Sequence, residues 1–128
     1  MLQRFVYITG ALDILVAVGL WASTLLDPKP MYFVPMMTLG TFLMMSAACL
    51  MWASKDMLNR APVIFWQGLV RLTAVLALLY AVPRGMANQW EYTLVAFDGT
   101  IAIVYIFGMM RVTGGSLLDC LMCRTPAA

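Results

Sequence analysis

Three ionisable residues interrupt hydrophobic runs that are otherwise long enough to cross a membrane. Asp13 lies in the first run, Arg71 in the third and Asp98 in the fourth. A charge in hydrocarbon is costly, so such residues usually pair with one another and mark functional positions. One guanidinium offers five donors and could bridge two carboxylates. The three residues therefore predict a buried Asp-Arg-Asp centre.

The depth of the three charges supports this prediction. A basic residue lies at the predicted cytoplasmic end of each of these runs. Asp13 is nine positions from Arg4, Arg71 is eleven from Arg60, and Asp98 is thirteen from Arg111. At the rise of an α-helix these separations correspond to roughly 13–20 Å, so the charges would lie near one level in the bilayer.

Polar companions on matching helix faces are expected to satisfy the remaining hydrogen-bonding positions of the centre, because partly satisfied polar groups are costly in a low-dielectric core. Residues four or seven apart on a helix share a face. The candidates at these spacings from a charge are Thr9, Gln67 and Tyr105.

The charge of the predicted centre leaves two interpretations open. One arginine and two aspartates carry a formal charge of −1, which in a closed site would favour protonation of one carboxylate or capture of a cation. The centre could then bind protons, a cation or a small polar ligand. It could also be a buried ion-pair network that only fixes which helices pair.

The composition indicates an integral membrane protein. Of the 128 residues 63% are hydrophobic and 11% charged, and the mean hydropathy is +0.89. A spanning helix needs about 20 mainly apolar residues, and four such runs are present. We predict an all-α fold, a four-helix membrane bundle over residues 1–111, and spans at 5–26, 31–53, 61–82 and 92–110. Pro35 is expected in the first turn of the second span, where its missing donor is not needed.

A cytoplasmic or interfacial tail is predicted over residues 112–128. A Gly-rich break is followed there by a segment that could form a short interfacial helix. The sequence shows no convincing internal repeat, although two successive helical hairpins would be compatible with a duplication.

Basic residues in the short loops predict the orientation, because positively charged loops are retained in the cytoplasm. With both termini cytoplasmic, five basic residues lie inside and two, Lys29 and Arg84, outside. The predicted location is therefore an integral, multi-pass position in a membrane with both termini on the cytoplasmic side. The net charge of +2 is explained by the same asymmetry, so no nucleic-acid partner is expected. The five inner residues are Arg4, Lys55, Arg60, Arg111 and Arg124.

Cofactor and metal sites are not predicted. The chain has no histidine, which removes histidine-ligated haem, histidine metal sites and a serine-type catalytic triad. Cys120 and Cys123 have the spacing of a zinc motif, but a structural zinc takes four ligands and Cys49 is expected in mid-membrane. A redox-active or acylated cysteine near the membrane is the alternative.

Three segments together resemble small four-helix bacterial membrane proteins of the DoxX-like and BphX-like kind. They are GALD at 10–13, FWQGLVR at 65–71 and AFD at 96–98. The resemblance covers most of the chain. The resemblance implies a bacterial inner membrane as the location. Since some proteins of that group accompany membrane oxidoreductases, it also implies an accessory role, and it supplies no reaction.

These observations predict a noncatalytic accessory or stabilising subunit, or a self-associating bundle. Its expected partners are membrane lipids and other membrane-protein subunits. The alternative is a binding or transport protein that uses the same centre for protons, a cation or a small polar ligand. An enzyme ranks third, because neither a nucleophile–base pair nor a metal site can be assembled.

Overall fold

A computed structural model describes residues 1–124, and within that range it contains helices and no strand. Four helices are long and apolar enough to cross a membrane, which confirms the predicted number and type of spans. A short fifth helix follows. The helices are α1 Leu2–Leu26, α2 Phe33–Ala53, α3 Ala61–Ala81, α4 Tyr92–Thr113 and α5 Leu117–Leu121, with 3-10 turns at Val82–Arg84 and Gln89–Glu91.

The helix boundaries agree with the predicted spans. The largest differences are three residues, at the start of α1 and at the end of α4. Pro35 is the third residue of α2 and therefore lies in the first turn, as expected. The first backbone N–H groups of a helix have no intrahelical acceptor, so proline there removes no hydrogen bond.

The chain divides into two compact units, each a helical hairpin. In the first unit, Met1–Asp56, α1 packs on α2. In the second unit, which begins at Met57, α3 packs on α4 and the short α5 contacts both. Assembly of all four spans into one bundle over 1–111 stays a prediction, as does the tail over 112–128. Residues 125–128 of that tail lie outside the described residues.

In the first hairpin, α1 and α2 approach each other closely at Gly10. A Cβ atom at this position would lie 3.1 Å from Met51 Cγ, 3.2 Å from the Ala47 carbonyl oxygen and 3.3 Å from Leu50 Cβ. The absence of a side chain therefore lets the backbones of α1 and α2 approach closely, which is how helices gain packing energy in a membrane.

The second hairpin closes in the same way at Gly68. A Cβ atom there would lie 2.9 Å from Ile106 Cγ1, 3.1 Å from Tyr105 Cβ and 3.3 Å from the Ala102 carbonyl oxygen. Gly68 follows Gly10 by 58 residues, and each of its three neighbours follows its counterpart in the first hairpin by 55. The two hairpins thus repeat one packing arrangement.

The buried faces of α1 and α3 repeat at the same separation. Three further buried positions of α1 have a buried counterpart 58 residues later, in α3 or the 3-10 turn that follows it. The repeat is not evident in the sequence because the equivalent side chains differ in type, although both members of each pair are buried. The pairs are Val6 with Ile64, Ala17 with Val75, and Thr24 with Val82.

The Trp21 side chain joins α1 to α2 near the loop that connects them. Its indole Nε1 donates a hydrogen bond to the Met37 carbonyl oxygen at 3.2 Å. The ring also lies against Gly40, where a Cβ atom would come within 2.5 Å of Cδ1 and Nε1. Gly40 therefore provides the space that the indole needs to reach the backbone of α2.

A capping box begins α5. The Ser116 hydroxyl accepts a hydrogen bond from the Asp119 N–H at 3.2 Å, and the Ser116 N–H donates to the Asp119 carboxylate at 2.9 Å. Such reciprocal bonds satisfy N–H groups that the helix leaves unpaired. The expected short helix after the Gly-rich break is confirmed, and Gly114 ends α4 with a positive φ of 64°.

We expect Gly10→Leu and Gly68→Leu each to destabilise the protein by about 1–3 kcal/mol, because the new side chain overpacks a helix contact. The matched control is Gly19→Leu, since a Cβ atom at Gly19 meets nothing within 4 Å. The free energy of unfolding in detergent, followed by circular dichroism or steric trapping, measures the effect. If Gly19→Leu lowered the free energy of unfolding as much as the other two variants, the proposed role of the Gly10 and Gly68 contacts would be wrong.

The capping box also predicts a pH dependence. The Ser116 hydroxyl, and then the Ser116 N–H, hold the pKa of Asp119 below its usual range. Because the folded-state pKa is the lower one, this stabilisation is complete above the ordinary aspartate pKa and is lost as the pH falls through the folded value. A carboxyl ¹³C titration should show Asp119 titrating low in the wild type and closer to its usual range in Ser116→Ala. An identical titration in both would rule out the capping bond as the cause.

Candidate functional site

An ion pair joins the two spans of the second hairpin. Arg71 Nη1 on α3 donates a hydrogen bond to Asp98 Oδ1 on α4. The side chains are only 13% and 23% exposed. Arg71 follows Gly68 by three residues, and Asp98 precedes Ala102 by four, so the pair lies one helical turn from the close contact of the two backbones.

The pair of Arg71 and Asp98 has no formal net charge, so by itself it gives no excess negative charge that would favour binding of a proton or a cation. A charge-assisted hydrogen bond between guanidinium and carboxylate is stronger than a neutral one. In hydrocarbon, pairing lowers the cost that each charge would have alone. The arrangement therefore fastens α3 to α4 at a depth where an isolated charge would be unfavourable.

The predicted buried Asp-Arg-Asp centre is not supported. Arg71 and Asp98 belong to the second hairpin, whereas Asp13 belongs to the first and is partly exposed on α1. Among residues 1–124 no charged residue falls in the buried class. Packing of α3 on α4 provides Arg71 with one carboxylate, that of Asp98, within its own hairpin.

The repeat gives Asp13 a defined structural position. It lies 58 residues before Arg71 and three residues after Gly10, so it occupies on α1 the place that Arg71 occupies on α3. Equivalent positions of the two hairpins therefore carry opposite charges.

The predicted polar companions have different surroundings. Thr9 is buried, and its hydroxyl donates to the backbone carbonyls of Phe5 at 2.9 Å and Val6 at 3.0 Å. Gln67 is partly exposed on α3. Tyr105 on α4 is fully buried, and its Cβ lies near Gly68 of α3. Their role as hydrogen-bonding companions of a charge stays a prediction.

The cysteines do not gather with other metal ligands in the part of the chain that the structure describes, where no group of three His, Cys, Asp or Glu could hold an ion. Cys120 is buried, and its Sγ lies 3.6 Å from the Thr113 hydroxyl. Cys123 and Cys49 are exposed. Cys120 thus contributes to the contact between α5 and the end of α4.

The contacts that Gly10 and Gly68 make between helices were not predicted from the sequence. The usual sequence pattern for close packing is a pair of glycines within one helix. The informative pattern is instead a single glycine three residues before a charge, found as Gly10 with Asp13 and as Gly68 with Arg71.

Comparison with known proteins gives no match: neither a family model, nor a curated protein, nor a solved structure matches the chain. The resemblance to DoxX-like and BphX-like proteins stays a prediction.

We expect Arg71→Leu to lower the free energy of unfolding by about 3 kcal/mol, the lower end for breaking a buried pair, because Asp98 keeps its charge without this partner. The double variant Arg71→Leu/Asp98→Leu should show a smaller decrease in the free energy of unfolding, since it leaves neither charge without its partner. Thermal unfolding in detergent, read by circular dichroism, compares the two. A double variant at least as unstable as Arg71→Leu would show that the pair does not fasten the hairpin.

Proposed function

We propose that the protein is a noncatalytic accessory or stabilising module that binds other transmembrane helices, from a partner subunit or a second copy. The observation that carries this proposal is the small share of each span that the chain itself covers. Only 22–28% of the residues in the apolar stretch of each span are buried. The remaining surface faces lipid or protein, and a stabilising subunit needs such a surface.

The internal fastening of each hairpin supports this proposal. The first hairpin is held by the Gly10 contact and the Trp21 indole bond, and the second by the Gly68 contact and the ion pair. Each hairpin therefore has a fixed shape without using most of its outer surface. A rigid apolar surface is favourable for association because little entropy is lost on binding.

One outer face of α1 suits close approach of another helix. Gly19 follows Gly10 by nine residues, about two and a half helical turns, and so lies on the opposite side of α1. It is exposed, and a Cβ atom there would meet nothing within 4 Å. Ala22 on the same side is also small and exposed. Small residues on a membrane helix let a partner backbone come near.

The alternative function, binding or transport of protons, a cation or a small polar ligand, relied on the excess negative charge of the three-residue centre. The Arg71–Asp98 pair is formally neutral and does not supply that excess. This alternative stays a prediction. The proposal retains the expected orientation, with both termini cytoplasmic, from the distribution of basic residues. It retains the expected bacterial inner membrane from the resemblance of three segments to bacterial membrane proteins.

A photo-crosslinking amino acid at position 15, which is exposed on the same side of α1 as Gly19, tests the proposal in native membranes. We expect a discrete protein adduct whose yield falls several-fold in Gly19→Leu, because the added side chain holds the partner helix away. The control Ala74→Leu adds similar bulk at an exposed position of α3 and should leave the yield unchanged. Adducts with lipid alone would refute the proposal.

A further inference from the structure

The first hairpin carries two adjoining clefts at the end where α1 begins and α2 finishes. The outer cleft, of about 340 Å³, is lined by Gln3, Arg4, Tyr7, Ile8, Ser54 and Lys55. The inner cleft, of about 310 Å³, shares Tyr7 and Lys55 with it. Shared lining residues make the two clefts one groove along the α1–α2 hairpin.

The outer end of this groove is positively charged. Arg4 and Lys55 are both exposed, and no ion pair within residues 1–124 includes either of them. Asp56 follows Lys55 in the chain but lines neither cleft. Within residues 1–124, two cations on one side of the hairpin therefore lack a carboxylate partner and face the same cleft.

The inner end of the groove is apolar. Apart from the two shared residues, its lining consists of Ile14, Ala48, Met51 and Trp52. From Arg4 to Ile14 the groove covers ten residues of α1, roughly 15 Å, which is about half the thickness of the hydrocarbon core. The groove thus changes from cationic to apolar over the depth of one lipid leaflet.

Aromatic rings mark the level of the membrane surface at this end. Tyr7 and Trp52 are 44% and 52% exposed. Tyrosine and tryptophan concentrate where headgroups meet acyl chains, because their rings are apolar and their polar edges remain hydrated. Arg4 and Lys55 accordingly stand at headgroup level, and Ile14 and Ala48 at acyl-chain level.

The repeat shows that hairpin packing does not require the two cations. At the offsets of 58 and 55 residues, the positions of Arg4 and Lys55 are taken by Pro62 and Met110 in the second hairpin. That hairpin keeps the same glycine contact without charge at these positions. Arg4 and Lys55 are therefore not needed for the glycine contact and are available to a ligand.

We propose that this groove binds one anionic phospholipid. The phosphate of the headgroup lies between the Arg4 guanidinium and the Lys55 ammonium, and one acyl chain follows Ile14, Ala48 and Met51. An anionic headgroup fits better than a zwitterionic one, because no acidic side chain lines the clefts to meet a lipid ammonium group. The inference is independent of whether the module binds a partner subunit.

Native mass spectrometry of the intact protein, released from detergent in the presence of phosphatidylglycerol or phosphatidylcholine, tests the proposal. We expect the wild type to retain one phosphatidylglycerol in preference to phosphatidylcholine. Arg4→Gln/Lys55→Gln should weaken that retention roughly tenfold or more, from the loss of two basic residues at the membrane surface. The matched control Arg111→Gln/Arg124→Gln removes the same charge from the second unit and should have little effect.

A second variant tests the apolar part of the groove. Ala48→Trp adds bulk at an exposed position without changing charge, and it should reduce phosphatidylglycerol retention while leaving the circular dichroism melt unchanged. Equal retention of both lipids, or equal losses in the two charge variants, would overturn the proposal. Displacement of the lipid by inorganic phosphate at equal concentration would identify a free-anion site and would also overturn it.

Discussion

Close approach of two helix backbones at a single glycine is the interaction on which each hairpin depends. Lipid tails solvate apolar side chains as well as a protein interior does, so burial of leucine or valine adds little to helix association in a membrane. Dispersion contacts between closely packed backbones then become decisive. Gly10 and Gly68 provide them, each against one carbonyl oxygen and two side chains of the neighbouring helix. The Arg71–Asp98 pair follows from this geometry, since it lies one turn from the Gly68 contact.

The two hairpins share a packing arrangement but differ in their polar fastening. The first uses the Trp21 indole, which reaches the backbone of α2 over Gly40. The second uses the Arg71–Asp98 ion pair. A hydrogen bond to a backbone carbonyl and a pair of opposite charges solve the same problem, which is to hold two helices at one register where water is absent.

The spans could be predicted from the sequence because their signals are local. Long apolar runs, and prolines such as Pro35 near their ends, give helix limits within three residues of the structure. The contacts of the three charges could not be predicted from depth, because the helical rise gives the depth of a residue but not the neighbour that its helix packs against. Depth alone places Asp13, Arg71 and Asp98 together, whereas packing of α3 on α4 brings Arg71 to Asp98. The repeat escaped detection because it conserves contacts and not residue types, as at Leu50 and Tyr105.

The division into two hairpins has a consequence for how the chain matures. Every contact that closes the first unit joins residues between Met1 and Asp56, so it requires none of the chain that follows. Contacts that are near in sequence form quickly, and units folding independently do so in the order of synthesis. The contacts within the first hairpin can therefore form while the ribosome is still producing the second.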